Sequence, residues 1–397
     1  MRQVGSVPET GREIRFRCYR CHVAQKGFRQ TCVQCTGTVL AELDPLEAIP
    51  SPHSRPGLWR WSEVLPRGPG DLPSRRSSSR GEISLGEGNT PLVPFFQTQS
   101  PHAVSLKLES LNPTLSFKDR AMALGVSWAR ELDVPGLVVA STGNAAVSAS
   151  AYAAAAGMRC RVFVGTGSGA GRKVEACRRY GAEIQVVEGD YSTAYSEAAE
   201  LEREGWFNVS TTYRNPVLAE AYRTLAFELL EQSEAVPEVI IVPIGAGPLI
   251  RGIGQGFADA AAQGLVGSVP ELVGVQAATV APVARGWRLR QGTENFSSAE
   301  NLSGPTVAAA IADPLRGYEE HADITLDAVE KSSGTVVAVG ETQIVEAEAS
   351  LAAQGHWVEP SSATALAALS SPALQERFRA RPRSIVLMMT GHGSKVD

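Results

Sequence analysis

Three features of the chain predict an α/β fold in which parallel sheets are covered by helices. From residue 81 onward, short apolar runs alternate with longer segments of helical pattern. Runs such as GLVVAS and EVIIVP are continuously apolar, as strands buried on both faces must be. Several of them lead into loops of Gly, Ser, Thr and Asn that precede a helix, where open parallel sheets bind their ligands.

The elements follow in chain order. Residues 102–109 (HAVSLKLE) read as a strand and 119–133 (DRAMALGVSWARELD) as a helix. Residues 136–141 are a strand, 144–157 (NAAVSASAYAAAAG) a helix, 160–165 (CRVFVG) a strand and 171–181 a helix. A strand at 182–189 (AEIQVVEG) precedes helices at 192–205 and 215–232. Strands are expected at 238–247 (EVIIVPIGAG) and 271–277 (ELVGVQA), around a further helix. A helix at 363–371 and a strand at 383–391 (RSIVLMMTG) close the pattern. No repeat of solenoid type is present.

A chain of 397 residues exceeds one small core and predicts two or three domains. Its formal charge of −5 gives no global reason to expect nucleic acid. No run of about 20 apolar residues predicts a membrane span, and the amino terminus shows no secretory pattern. Six cysteines are too few for a disulfide scaffold in a chain this long, so a reducing, cytoplasmic setting is expected.

Four of those cysteines form two C-x2-C pairs, Cys18 with Cys21 and Cys32 with Cys35. Each pair places two thiolates on one tight turn, and two such turns make the sulfur cage that zinc prefers. A closed four-thiolate site has no open position, so zinc here is expected to be structural. A metal-free ribbon or a redox pair is the alternative. Residues 1–35 carry seven Arg or Lys against two Glu, which makes a nucleic-acid-binding ribbon a rival reading. No basic run interleaved with aromatic residues supports it. Residues 51–80, rich in Pro, Gly, Ser and Arg, read as a linker with Trp59 and Trp61 as anchors.

Four loops carry the candidate chemistry. Lys118, in NPTLSFKDR, stands at a helix start, where the macrodipole disfavours a cation. It is either a solvated side chain or an amine needed at that spot. Ser141, Thr142, Gly143 and Asn144 precede an alanine-rich helix: the hydroxyls are candidate caps and the helix start suits a carboxylate. Gly245, Ala246, Gly247, Pro248 and Leu249 form a glycine-rich loop after a strand. Ile250 occupies the place where a dinucleotide fingerprint has its third glycine, and the loop holds no lysine, so a single-phosphate cup is the better reading. Thr390, in TGHGSK, offers a neutral hydroxyl, and His392 is either a site residue or a packing histidine.

A phosphate cup, a carboxylate-binding helix start and one lysine suit a phosphorylated aldehyde cofactor with an amino-acid substrate, because lysine condenses with carbonyls. In that order, SLGEGNTP, NPTLSFKDR, ASTGNAAVSASAYAAAAG, TLAFELLEQ, VEPSSATA and TGHGSK resemble the threonine synthase branch of the tryptophan-synthase-β-like pyridoxal phosphate enzymes of fold type II. The resemblance covers nearly the whole chain, and the cysteine ribbon is similar to one found on many members.

It implies Lys118 as the Schiff-base lysine and later acid and base, with Phe117 beside the ring. It implies Asn144 on the phenolic oxygen of pyridoxal 5'-phosphate, Gly245 to Leu249 around the phosphate, and Thr390 at the pyridine nitrogen. Ser141, Thr142, Gly143 and Asn144 would receive the substrate carboxylate, with Asn89 and Thr90 shaping the site mouth. It also implies a homodimer. The resulting division is a ribbon at 1–50, a linker at 51–80, a large cofactor-binding domain from 81–120 and 216–397, and a small α/β domain at 121–215.

The implied activity is β- or γ-elimination or replacement, led by conversion of O-phosphohomoserine to threonine. Threonine synthases commonly carry an arginine shortly after an Asn-Pro pair, for the substrate's phosphate, whereas Val217 and Leu218 follow Asn215 and Pro216 here. A paralogue working by β-replacement, as cysteate synthases do, or an ammonia lyase is therefore the alternative. A degenerate regulatory or nucleic-acid-binding protein is the alternative of another class.

Overall fold

The computed structural model describes residues 11–68, 82–96, 101–166, 171–189, 191–210, 212–293 and 304–396. They form three sheets. The amino-terminal sheet joins β1 (Ile14–Cys18) to β2 (Ala24–Gln25) and β3 (Val39–Leu43), both antiparallel. Each C-x2-C pair is followed by a residue in the left-handed region, His22 at φ 59° and Thr36 at φ 59°. The amides of these two residues bond back to the carbonyls of Cys18 and Cys32, which makes the two turns alike.

The stretch read as a linker is only partly one. Residues 57–64 form a 3-10 helix with Leu58, Trp59, Trp61 and Val64 buried, and Trp59 Nε1 donates to the Ile83 carbonyl at 2.9 Å. Both tryptophans act as the expected anchors. Residues 69–80 of that stretch lie outside the described residues.

The chain then enters β4 (Leu92–Phe95), β5 (Ala103–Lys107) and α1 (Lys118–Glu131). A run of β6 (Leu137–Ala140), α2 (Asn144–Ala156), β7 (Cys160–Gly165), α3 (Arg172–Arg179), β8 (Glu183–Val187), α4 (Tyr191–Arg203) and β9 (Phe207–Asn208) builds an all-parallel four-stranded sheet in the order β8-β7-β6-β9. The chain continues through α5 (Thr224–Gln232), β10 (Val239–Pro243), α6 (Pro248–Ala262), β11 (Glu271–Ala277), α7 (Pro282–Arg290), α8 (Glu320–Lys331), β12 (Thr335–Val339), α9 (Glu341–Ala353), α10 (Pro360–Ala367), α11 (Pro372–Arg377) and β13 (Ser384–Met388). The largest sheet runs β12-β11-β10-β13-β5-β4, parallel except for β4 at its edge. The continuous apolar runs have the expected cause, since every residue of β6 and β10 is buried. No described helix is long and apolar enough to cross a membrane.

Segment 215–232 is not one helix. Residues 218–223 wind as 3-10 before α5 begins. Here α6 approaches backbone to backbone: a Cβ on Gly252 would stand 2.6 Å from the Ala219 carbonyl, and one on Gly256 2.4 Å from that of Arg223. Two glycines thus let α6 lie directly on this turn.

A buried ion network locks α1 in place. Arg120, fully buried, donates to both oxygens of Glu109 at 2.7 Å and to Glu228 at 2.6 and 2.8 Å. Lys107 Nζ completes it, 2.8 Å from Glu228 and 2.7 Å from the Thr90 carbonyl. Two cations thus face two carboxylates, and neutral donors satisfy the remaining lone pairs. Thr90 Oγ1 donates to Glu109 at 2.6 Å, and the Asn89 amide donates to Glu228 at 2.9 Å. The GEGNTP stretch is therefore used as scaffold around the network.

The ribbon rests on α8. Tyr19 donates to Asp327 at 2.8 Å, and the Thr38 amide and hydroxyl reach Glu320 at 2.7 and 2.6 Å.

Candidate active site

The carboxyl ends of β6, β10 and β13 and the start of α1 converge on one cavity of about 380 Å³. It is lined by Phe117, Lys118, Ser141 to Asn144, Gly245 to Leu249 and Thr390. Loops separated by more than 270 residues in the chain thus share one space, of a size typical for small-molecule sites. Asn89 and Thr90, expected at the site mouth, are not among the residues of its lining; the Asn89 backbone amide and the Thr90 hydroxyl bond the buried carboxylates of the ion network.

Lys118 is the first residue of α1 and half-buried. Its Nζ lies 4.4 Å from the centroid of the Phe117 ring, which in turn packs on Tyr222. Burial pushes the amine down to about 8, against the pull of Asp313 and Glu359. A lysine with a lowered pKa on the wall of a cavity is poised as a nucleophile. Its neighbour Asp119 points away, accepting from Thr114 and Ser148, and so pins the turn that precedes the helix.

The start of α2 differs from expectation in one respect. Its N-cap is Gly143, and no side chain caps the helix. Ser141 Oγ instead accepts from the Gly143 amide at 3.0 Å, which shapes the turn. The helix terminus is left to the cavity, as an anion site requires. Asn144 donates through Nδ2 to Glu359 at 2.7 Å, while its Oδ1 is buried without a partner among the described residues. A buried amide oxygen left unpaired inside a cavity calls for a ligand to pair it.

In the glycine loop, Gly247 adopts φ +99° and α6 begins at Pro248. A Cβ on Gly247 would meet Thr325 Oγ1 at 2.2 Å. That hydroxyl, from α8, donates to the Ala246 carbonyl at 2.5 Å and contacts Tyr213 Oη at 2.9 Å. The loop is thus braced from behind while its helix amino terminus opens on the cavity without a side-chain cap. Thr390 Oγ1 pairs with Ser362 Oγ at 2.9 Å, two neutral hydroxyls against the cavity wall. His392 lies outside the lining: its Nδ1 bonds Ser394 and its ring packs on Trp357, so it is a packing histidine.

Three lining residues carry charge that the loop motifs do not signal. Glu359 opens α10 as its N-cap residue and is held by Asn144 and by Lys173 Nζ at 2.6 Å. Asp313 accepts from the Leu315 amide at 3.0 Å and from Tyr318 Oη at 2.8 Å. Burial pushes the Asp313 carboxyl up, against these donors and Lys118. Arg316 stands exposed at the cavity mouth. Asp313-Pro314 reads as an ordinary turn in sequence, and only the fold brings it to the lysine.

The four ribbon cysteines cluster separately, with all four sulfurs within 4.8 Å of one another. Cys18 to Cys35 measures 3.5 Å and Cys21 to Cys32 3.6 Å. Zinc–thiolate bonds of about 2.3 Å set the edge of a tetrahedral cage near about 3.8 Å, so the cluster fits a zinc ion.

Comparison with known proteins gives the same picture. The family model described as pyridoxal-phosphate dependent enzyme matches residues 83–391. Threonine synthase of Methanocaldococcus jannaschii is 34% identical over 85% of this chain and 80% of its own. That of Mycobacterium leprae is 32% identical over 79% and 83%. Among solved structures, serine racemase from Dictyostelium discoideum superposes with TM-score 0.62 at 21% identity, covering 78% of this chain and 93% of that one. The processed form of threonine deaminase isoform 2 from Solanum lycopersicum gives TM-score 0.59 at 22% identity, covering 74% and 75%. The last two comparisons speak to the fold alone.

The residues present fit pyridoxal phosphate. An amine for its aldehyde, an uncapped helix amino terminus for its phosphate, a buried amide whose oxygen has no partner among the described residues, and a neutral hydroxyl all line one cavity. The chain belongs to the pyridoxal-phosphate dependent enzymes, on their threonine synthase branch, and is a lyase that works by elimination or replacement.

Proposed function

We propose that the chain converts O-phosphohomoserine and water to threonine and phosphate. The observation that carries this reading is that two uncapped helix amino termini, those of α2 and α6, open on the same cavity as Lys118. One suits the cofactor's phosphate and the other the substrate's carboxylate. Bound pyridoxal phosphate supplies the carbonyl with which an amine condenses and a ring that accepts negative charge from the substrate α-carbon. Lys118 removes and returns protons at the substrate carbons, and its lowered pKa suits both tasks near neutral pH. Asn144 would orient the ring through its amide, and Ser141 to Gly143 would hold the carboxylate. Thr390, neutral and paired with Ser362, would offer the bound ring a hydroxyl rather than a carboxylate, which would not enforce a charged ring nitrogen and so would favour elimination and replacement over transamination. In balance, the bond from the γ-carbon to the phosphate oxygen breaks with its electron pair leaving on phosphate, one β-carbon–hydrogen bond breaks, the γ-carbon gains a proton, and the proton that water gives up ends on phosphate. Water supplies the oxygen that bonds to the β-carbon.

A second reading, ammonia release from a hydroxy- or diamino acid or β-replacement, is favoured by one observation. Leu218, just after Asn215-Pro216, is buried against α1 and offers no charge to a substrate phosphate. Product analysis separates the two. Phosphate and threonine are expected from phosphohomoserine, with slow or no turnover of serine, threonine and phosphoserine. Keto-acid release from serine or threonine, without phosphate release from phosphohomoserine, establishes the second reading.

A further inference from the structure

A phosphorylated substrate brings a third anion to the cavity, and the cations available to meet it can be counted. Among the described residues of the lining only Lys118 and Arg316 are cationic, and Lys118 is committed to the cofactor. Arg214, just before Asn215-Pro216, is paired with Glu202 at 2.7 and 3.0 Å. Arg223 is buried and paired with Glu220 and Asp259. An adjoining cavity of about 310 Å³ adds Lys173 and Lys395. The first is held by Glu359 at 2.6 Å, and the second, nearly buried, donates to the Thr114 carbonyl. Arg316 makes no ion pair with a described carboxylate.

The loop that carries Arg316 is built to hold its backbone and leave its side chain free. Leu315 sits at φ 56°, a costly value for a residue with a Cβ, and the residue is 1% exposed. Gly317 follows at φ 83°. Asp313 clamps both sides of the turn, accepting from the Leu315 amide and the Tyr318 hydroxyl. Asp313 itself lies against the glycine cup, its Cβ 3.6 Å from where a Gly245 Cβ would stand. A pinned turn between the cup and solvent thus projects one guanidinium at the mouth of the site.

We propose that Arg316 is the specificity-determining residue for the distal anionic group of the substrate. This rests on the phosphorylated-substrate reading above. A guanidinium matches phosphate bidentately, as a lysine does not. It also offsets the negative charge of Asp313, which would otherwise repel a phosphate entering over the cup.

The test uses the holoenzyme and ligands that bind without reaction. The change in cofactor absorbance is titrated with 2-amino-5-phosphonopentanoate and with norvaline, which lacks the phosphonate. Wild type is expected to prefer the phosphonate. In Arg316→Gln its Kd rises about 10- to 100-fold, as loss of a charge-assisted contact predicts, and that of norvaline stays unchanged. Arg316→Lys recovers part of the loss. With phosphohomoserine the effect falls on KM more than on kcat. Wild type binding the phosphonate tightly, with Arg316→Gln binding it equally well, overturns the assignment alone. Wild type showing no preference for the phosphonate overturns the phosphorylated-substrate reading as well.

Discussion

Substituting Gly247 by alanine tests the cup with a single methyl group. The residue stands at φ +99°, where an L-residue costs about 1–2 kcal/mol. Its Cβ would lie 2.2 Å from Thr325 Oγ1 and 2.5 Å from Thr325 Cγ2, so Thr325 must move. Moving it breaks two bonds of its hydroxyl, to the Ala246 carbonyl and Tyr213, at about 1 kcal/mol each. The sum is about 3–4 kcal/mol. If the loop escapes by turning its amides out of the cup, cofactor affinity falls by a factor of about 10² to 10³. The assay is titration of the apoenzyme with pyridoxal phosphate, followed by absorbance, beside urea unfolding of the cofactor-free protein. A Gly247→Ala/Thr325→Ala double variant removes the two closest contacts but keeps the Cβ approach of 2.8 Å and the backbone cost. It should bind the cofactor more tightly than Gly247→Ala alone. Wild-type affinity and stability in Gly247→Ala would refute the reasoning, because no unstrained place exists for the methyl group.

Other expectations concern the lysine, the ion network and the ribbon. Lys118→Ala should abolish the absorbance near ~400–430 nm that a lysine–carbonyl condensation gives; a retained band assigns the role to another amine. In the apoenzyme the Lys118 amine, at about 8, reacts only when deprotonated. The rate of cofactor incorporation should therefore rise from pH 6 and level off above pH about 8, and a rise continuing to pH 10 contradicts the lowered value. Arg120→Met should cost about 3–5 kcal/mol in urea unfolding, because it strands Glu109 and Glu228 in the core. Burial alone would raise the Glu228 carboxyl, but Arg120 and Lys107 bring it down to about 2. Its contribution is thus fully present above the unfolded carboxylate range and is lost as pH falls from about 4.5 toward 2. A urea midpoint insensitive to pH in that window argues against the network. Metal analysis should find one zinc per chain, and Cys32→Ser should lose it.

The strands were legible because burial on both faces leaves one kind of sequence. LVVA at β6 and VIIV at β10 admit no other reading between turn residues. Lys118, Asn144, the glycine loop and Thr390 stood out as candidates because the local chemistry of each stretch is unusual, and the fold brings them to one cavity. Glu359 and Asp313 were not, since a carboxylate before a proline looks the same on any surface: the partners of Glu359 lie 215 and 186 residues away, and Asp313 meets Lys118 only in the fold. Asn89 and Thr90 were expected at the site mouth, and their bonds to the ion network were not legible for the same reason. Their partners Glu228 and Glu109 are 139 and 19 residues away, and nothing local distinguishes a site mouth from a scaffold. The 3-10 turn at 218–223 is set by the close approach of α6, which helical periodicity alone does not register.

One helix receives contacts from both ends of this architecture. On α8, Glu320 and Asp327 hold the ribbon, and Thr325 between them holds the Ala246 carbonyl of the cup. The ribbon and the cup thus bear on the same helix. By linkage, any preference of the metal-loaded ribbon for one setting of α8 becomes a preference of the cup for its phosphate, and the exchange runs both ways. Bound cofactor should then slow the loss of zinc to a chelator, and a zinc-starved chain should release its cofactor sooner. Metal supply would set how much of the enzyme stays loaded.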